Sequence, residues 1–304
     1  MIEQQYENVH YLQFSHYAAF PEFIHGVFTR LGGYSEEPYK SLNTSSPPHG
    51  GGDAFPNVIR NRQLALQALQ LSGLPTVSLW QIHGADVVTL DRHDEWRTDW
   101  ANISYYEHPW NPVTIRQGDA LISQERELAV AFSFADCVPI TFYDPIKQIF
   151  GIAHGGWRGT ARGIVLATVE KMQAYFGCQP ENIYAGIAPA IGPCCYEVSQ
   201  EVQAIFLGQQ AFETMPTQPE YQAHVRESAV FSTCQLDSGP SLRLDLQETN
   251  RNQLLSAGLF PQHIEVMRIC TSCHTEKFFS HRKEHGKTGR FVVIMSLAAK
   301  QTVS

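Results

Sequence analysis

Nowhere in this sequence does an apolar run approach the roughly 18–20 residues that a membrane span needs. Runs of basic residues are missing too. The 22 Lys and Arg are outnumbered by 30 Asp and Glu, giving a formal charge of −8. A phosphate-backbone binder normally concentrates Lys and Arg on one face, so nucleic acid is not an expected partner. Residues 1–17 carry acid and aromatics instead of a basic start followed by an apolar block, a composition unlike an ordinary secretory signal. No G-x-x-x-x-G-K-[ST] phosphate loop, fixed-period repeat, low-complexity block or convincing linker interrupts the chain. Cysteine is sparse and odd in number, at seven. Without an export signal, such cysteines are expected to be reduced, metal-bound or catalytic, and the expected compartment is the cytoplasm.

What is present is enough to fill one large domain over residues 1–304, with 43% hydrophobic residues for the core. Helical spacing runs over 57–72, where Val58, Leu66 and Leu69 recur and Gly73 and Pro75 follow. Strands are predicted at 26–28, 77–82, 86–90, 138–143, 149–153, 183–187 and 290–297. Residues 128–134 alternate strictly, with Leu128, Val130, Phe132 and Phe134 on one face and small residues on the other. Helices are predicted at 160–176, 197–206 and 245–257, two of them stopped by Gly177 and Gly258. The mixture means an α/β or α+β fold with helices covering a sheet. Two stretches, 45–55 and 91–116, read as loops, the second as an insertion able to form a lid or a surface excursion.

Three residues share one context. His83, Cys137 and His154 each sit at a predicted strand end or beside a turn residue, where side chains of an α/β sheet converge on ligands. Two imidazoles and a thiolate form a common zinc set. Three protein ligands leave a fourth position open for water, the arrangement of a catalytic centre, and zinc there activates water near neutral pH. Spacing alone leaves alternatives: hydrogen-bonded core histidines with a buried cysteine, or Cys137 as a metal-free nucleophile with a histidine base. Asp136 is placed either to orient a histidine or to cap a turn. The segment His154-Gly155-Gly156-Trp157-Arg158-Gly159-Thr160 is either an anion-facing helix start, assisted by Arg158, or a tight strand-to-helix turn. Arg30, in Thr29-Arg30-Leu31-Gly32-Gly33, is either a surface arginine or a phosphate or carboxylate contact. Cys270-Thr271-Ser272-Cys273-His274 spells the haem-attachment string, but that attachment requires export. A zinc knuckle would need a second cysteine pair nearby, and none follows. The adjacent Cys194 and Cys195 are expected to pack in a turn.

The strings QIHGADVV, GDALIS, ADCVPI, AHGGWRGT, GIAPAIGPCCYEV, LDLQETNRNQL and GKTGRF, in that order, resemble the laccase-domain family, from about Gly26 to Leu297. That family, long labelled multicopper polyphenol oxidases, is assigned as zinc-dependent purine nucleoside phosphorylases with adenosine deaminase activity. The resemblance implies a β-sandwich-like core of two similar β/α halves flanked by helices, and metal ligands at His83, Cys137 and His154. It also implies substrate or phosphate contacts at Arg30, Asn43, Gln81 and Arg282. His281 stands where many members have Tyr, which puts any role of that hydroxyl in doubt. Expected substrates are adenosine, inosine, guanosine or methylthioadenosine with phosphate, acted on by a monomer or weak homodimer. The older label implies copper chemistry, but the 13 histidines contain no His-x-His pair of the kind a multicopper centre uses. A site of this composition can nevertheless load copper, since affinity for Cu²⁺ exceeds that for Zn²⁺. A cysteine hydrolase using Cys137, a hydrolase of nucleotide sugars, and a non-enzymatic binding module with a structural metal are the competing readings.

Overall fold

The computed structural model describes residues 1–45, 52–90, 100, 116–237 and 239–299. The expected loops at 45–55 and 91–116 fall mostly outside them. Chain order begins with β1 (Ile2–Tyr6), β2 (Val9–Gln13), β3 (Phe23–Phe28), α1 (Phe55–Ala68), β4 (Thr76–Val77) and β5 (Val87–Leu90). It continues through β6 (Ala120–Ser123), β7 (Ala129–Phe134), β8 (Val138–Asp144), β9 (Ile149–Gly155), α2 (Trp157–Ala161), α3 (Ile164–Phe176) and β10 (Tyr184–Ile187). The rest comprises α4 (Gln200–Phe206), α5 (Pro219–Ser228), β11 (Phe231–Leu236), β12 (Gly239–Leu244), α6 (Leu246–Ser256), β13 (Ile264–Val266) and β14 (Phe291–Leu297).

Twelve of the strands form two six-stranded sheets, ordered β1-β2-β3-β14-β7-β4 and β13-β10-β8-β9-β6-β5; β11 and β12 pair as a separate hairpin. Pairing is antiparallel except at β4–β7, β5–β6 and β10–β13. Alternation explains how the sheets stack. On β14, Phe291, Val293, Met295 and Leu297 join Val130, Phe132 and Phe134 of β7 in a core shared with Leu121, Phe150 and Ile152 of the second sheet. The opposite faces of the same strands, Ala129, Ala131, Val292 and Ile294, pack against Leu64, Ala65 and Ala68 of α1. Ala129 and Ala131 are the small residues the alternating pattern placed there, and their size lets a helix approach. Outside the second sheet, Ile122, Ile140, Phe142 and Ala153 pack with α2, α3, α4, α5 and α6. The layers therefore run helix, sheet, sheet, helices, the sandwich that the resemblance implied.

Local expectations shift at several boundaries. The predicted strand 77–82 shrinks to β4, since after Val77 the chain leaves the first sheet and makes only an isolated bridge, Trp80 to Gln117. The helix expected at 160–176 is two pieces. Gly163, at φ 81°, breaks it, and a side chain there would meet the Tyr221 ring at 2.9 Å. The third predicted helix begins at Gln200, capped by the Ser199 side chain. Among the described residues no helix is long and apolar enough to cross a membrane.

Candidate metal centre

The chain crosses from the first sheet to the second between β4 and β5, and again between β7 and β8. His83 lies in the first crossing and Cys137 in the second; His154 lies near the end of β9, beside β8. The three ligand atoms all lie within 4.8 Å of one another. The His83 and His154 rings sit 4.8 Å apart, inclined at 73°. His154 is buried and Cys137 half-buried, whereas His83 is exposed, so the cluster opens on one side. The expected triad is thus a spatial one.

Asp119 sets this geometry. Its carboxylate accepts the N–H groups of Ile82, His83 and Gly84 at 3.2, 2.9 and 2.6 Å. The same carboxylate accepts from His154 Nδ1 at 2.9 Å. Because a carboxylate accepts, the imidazole proton sits on Nδ1, leaving Nε2 as the ring atom able to take a metal. Burial pushes the Asp119 carboxyl up, but His154 and the amides around it prevail and hold it below the usual range. Arg162 braces the loop from behind, donating to the carbonyls of His83 (2.8 Å), Thr214 (3.0 Å) and Met215.

Electrostatics favour a thiolate. Burial raises the Cys137 thiol, yet His154 and His83 beside it bring it down to about 6. Burial lowers His154, but Cys137 and Asp119 more than compensate and raise it to about 10. A thiolate and two imidazoles, one oriented by a carboxylate, suit zinc or copper by donor chemistry. Space fits as well. A side chain on Gly156 would lie 3.0 Å from Cys137 Sγ and 3.2 Å from the His83 ring, so only glycine leaves the space between the ligands clear. The glycine-rich turn therefore serves close approach: Gly159 likewise has room for no side chain against the Gly84 carbonyl, 2.9 Å away. Arg158, offered as an anion contact, lies exposed across the Trp157 ring.

The other expected residues divide. Gln81 lies two positions before His83, and its buried Nε2 has no hydrogen-bond partner among the described residues. Arg282 is exposed; its backbone N–H donates to Asp136 at 2.6 Å and its guanidinium to the Glu197 carbonyl at 3.0 Å. Asp136 thus binds Arg282 and the Thr271 hydroxyl (2.6 Å), while the histidine-orienting role falls to Asp119. Arg30 is buried and committed: its guanidinium donates to the carbonyls of Lys40 and Thr275 at 2.7 and 2.8 Å and to Glu284 at 2.9 Å, above the Phe279 ring. Asn43 is also buried; its Oδ1 accepts the Arg290 N–H at 2.9 Å and its Nδ2 donates to Asp53 at 3.0 Å. Both brace the segment that carries Arg282 and Arg290. Arg290 was not anticipated: burial lowers its pKa, while Cys137 and Asp136, close enough to feel its charge, raise it. Its signal was the arginine of GKTGRF. His281 is exposed, and its pKa is lowered first by partial burial and then by Arg290.

The cysteine expectations need one correction. Cys194 and Cys195 do lie in a turn, but the second pair that Cys270 and Cys273 lacked in sequence is this one. All four sulfurs lie within 4.8 Å of each other.

A sequence model of the multi-copper polyphenol oxidoreductase laccase family matches residues 24–298. A curated relative, purine nucleoside phosphorylase YlmD of Geobacillus stearothermophilus, is 36% identical over 274 residues, covering 90% of this chain and 89% of its own. The solved structure of YlmD from Geobacillus stearothermophilus superposes with a TM-score of 0.76 at 32% identity, over 98% of this chain and 99% of that one. A Bacillus licheniformis protein titled YfiH does so at the same TM-score and identity, over 97% and 98%. With matching motifs, fold and coverage, the chain belongs to the multi-copper polyphenol oxidoreductase laccase family.

Proposed function

We propose that this protein is a purine nucleoside phosphorylase with a secondary adenosine deaminase activity, centred on a zinc ion held by His83, Cys137 and His154. The observation that carries the reading is a three-ligand cluster, open on the His83 side, in a chain whose full-length relative is named a purine nucleoside phosphorylase. When bound, such an ion supplies Lewis acidity and activates water.

The remaining steps belong to the chain's own groups. Arg282 and Arg290, held beside Asp136 and Cys137, supply positive charge for phosphate, and Arg30 and Asn43 hold their segment in place. The unpaired Gln81 Nε2 offers a donor to the substrate, since a buried polar group without a partner is costly unless a ligand satisfies it. In phosphorolysis a phosphate oxygen bonds to ribose C1′ as the bond to the purine nitrogen breaks; the bonding pair leaves on the base, which takes up a proton. In deamination water adds at C6 of adenosine and ammonia departs, giving inosine.

The test is incubation of metal-quantified protein with adenosine, with and without phosphate, followed by chromatography. Adenine and ribose 1-phosphate are expected only with phosphate, and inosine without it. Cys137→Ala is expected to remove the metal held by the triad and both reactions. A Cys137→Ala protein that keeps its nucleoside turnover overturns the assignment. The thiolate-favouring surroundings of Cys137 support one other reading, a metal-free cysteine hydrolase. Stoichiometric alkylation of Cys137 in native protein, with no nucleoside turnover, would decide for it.

A further inference from the structure

We propose a second metal site: Cys194, Cys195, Cys270 and Cys273 together bind one soft divalent ion, zinc by donor chemistry, as a closed structural tetrathiolate. The sulfurs come from two tight turns far apart in sequence. Residues 193–195 turn back so that the N–H groups of Cys195 and Tyr196 both donate to the Gly192 carbonyl at 3.0 Å. Residues 270–273 form the other turn, closed by the His274 N–H on the Cys270 carbonyl at 3.1 Å. They meet because β10 and β13 run parallel and in register, and the chains leaving them stay paired, with Thr271 N–H donating to the Ala190 carbonyl at 3.0 Å.

The distances suit a single ion. Cys273 Sγ lies 3.5 Å from Cys194 Sγ and 3.4 Å from Cys195 Sγ, and no pair of the four exceeds 4.8 Å. Metal–sulfur bonds of about 2.3 Å in a tetrahedron place sulfurs roughly 3.8 Å apart. A multi-iron cluster would spread its thiolates more widely. Gly192 N–H donates to Cys270 Sγ at 3.2 Å, the kind of amide contact that stabilises a charged thiolate. A side chain on Gly192 would lie 3.2 Å from Cys270 Cβ and 3.3 Å from Cys194 Sγ, so glycine keeps the two turns in contact. Four sulfurs close the coordination shell and leave no position for water, which makes the site structural. Uptake of a divalent ion replaces up to four thiol protons, which pass to solvent.

The site would brace the wall of the triad. Thr271, between two of the ligands, donates to Asp136, and the Ile191 N–H beside the other turn donates to the Asp136 carbonyl at 2.9 Å. Asp136 is the residue before Cys137.

The experiment combines metal analysis with alkylation on the full-length protein purified without added chelator. Zinc content is measured for the wild type, for Cys194→Ser/Cys273→Ser and for Cys137→Ala. The double variant is expected to contain one equivalent less than the wild type, whether or not the triad is loaded, and Cys137→Ala reports the triad separately. Because the double variant risks misfolding, native wild-type protein is also treated with a thiol reagent. Cys194 and Cys273 are exposed, so as free thiols they are open to the reagent with or without chelator. Protection that is lost after chelation is expected. Unchanged zinc content in a folded double variant, immediate alkylation of Cys194 and Cys273, or disulfides among the four by mass spectrometry would each overturn the proposal.

Discussion

Asp119 is a single side chain that does three jobs at once: it shapes the loop before His83, fixes the His154 ring and contributes the negative charge that holds a protonated imidazole nitrogen. Asp119→Asn keeps the size but loses the charge, and one of its two polar atoms becomes a donor facing donors. Metal affinity is expected to weaken by about 10–100-fold, the usual cost of losing such a partner. Competition with a chromogenic chelator measures it; an unchanged affinity would remove Asp119 from the account. Nothing in GDALIS marks this aspartate as more than a turn residue, because its role depends on a neighbour 35 positions away in the chain. The triad was legible since each member stands at the end of an apolar run, where geometry favours convergence. The cysteine quartet was not: its halves are joined by β10 and β13, a pairing that no local pattern announces.

Among the elements, α6 supports the centre from behind. Asp245 caps it by accepting the Glu248 N–H at 2.9 Å. Further along, Asn250 donates to Thr160 at 3.0 Å and Gln253 donates to the Thr160 carbonyl at 2.9 Å, which fixes α2 just past Gly156. Asp245→Ala should cost about 1 kcal/mol of stability, read as a lower urea midpoint at unchanged slope. A loss of nucleoside turnover at temperatures where the variant is fully folded would show that α6 also acts on the centre directly. The elements legible in the sequence were those with a clear apolar face or run: α1, α3, α4, α6, β3, β5, β7, β8, β9, β10 and β14. Missed were α5, a polar helix that buries only Tyr221, Val225 and Ser228, the β11–β12 hairpin, and the short strands β6 and β13. The edge strand β1 and its neighbour β2 escaped notice too, since neither carries a continuous apolar run. The stacking of two sheets came only through family resemblance, since alternation says which residues face inward but not which strand lies opposite.

Across the whole molecule, a buried histidine makes the fold sensitive to acid. His25 lies on β3, nearly inaccessible to solvent, with its Nε2 accepting the Phe14 N–H at 2.9 Å. Burial lowers its pKa from 6.5 to about 3. The folded state therefore refuses a proton that the unfolded chain takes up below pH 6.5. Stability should be unaffected by this group above that pH and should fall between pH 6.5 and about 3, by up to about 1.4 kcal/mol per pH unit. Urea titrations across this range, compared with His25→Gln, check it: the variant should show a shallower decline, and parallel curves would refute the role of His25.

Two of the three triad residues, His83 and Cys137, ride on segments where the backbone passes from one sheet to the other. Those passages are also the covalent straps between the layers, so an ion bound by both would act as a rivet through the sandwich. Sliding of the layers and release of the ion would then be a single event. Chelation should then loosen the seam between the sheets, seen as faster amide hydrogen exchange along β9, which carries His154, and also along β14, which holds none of the three ligands.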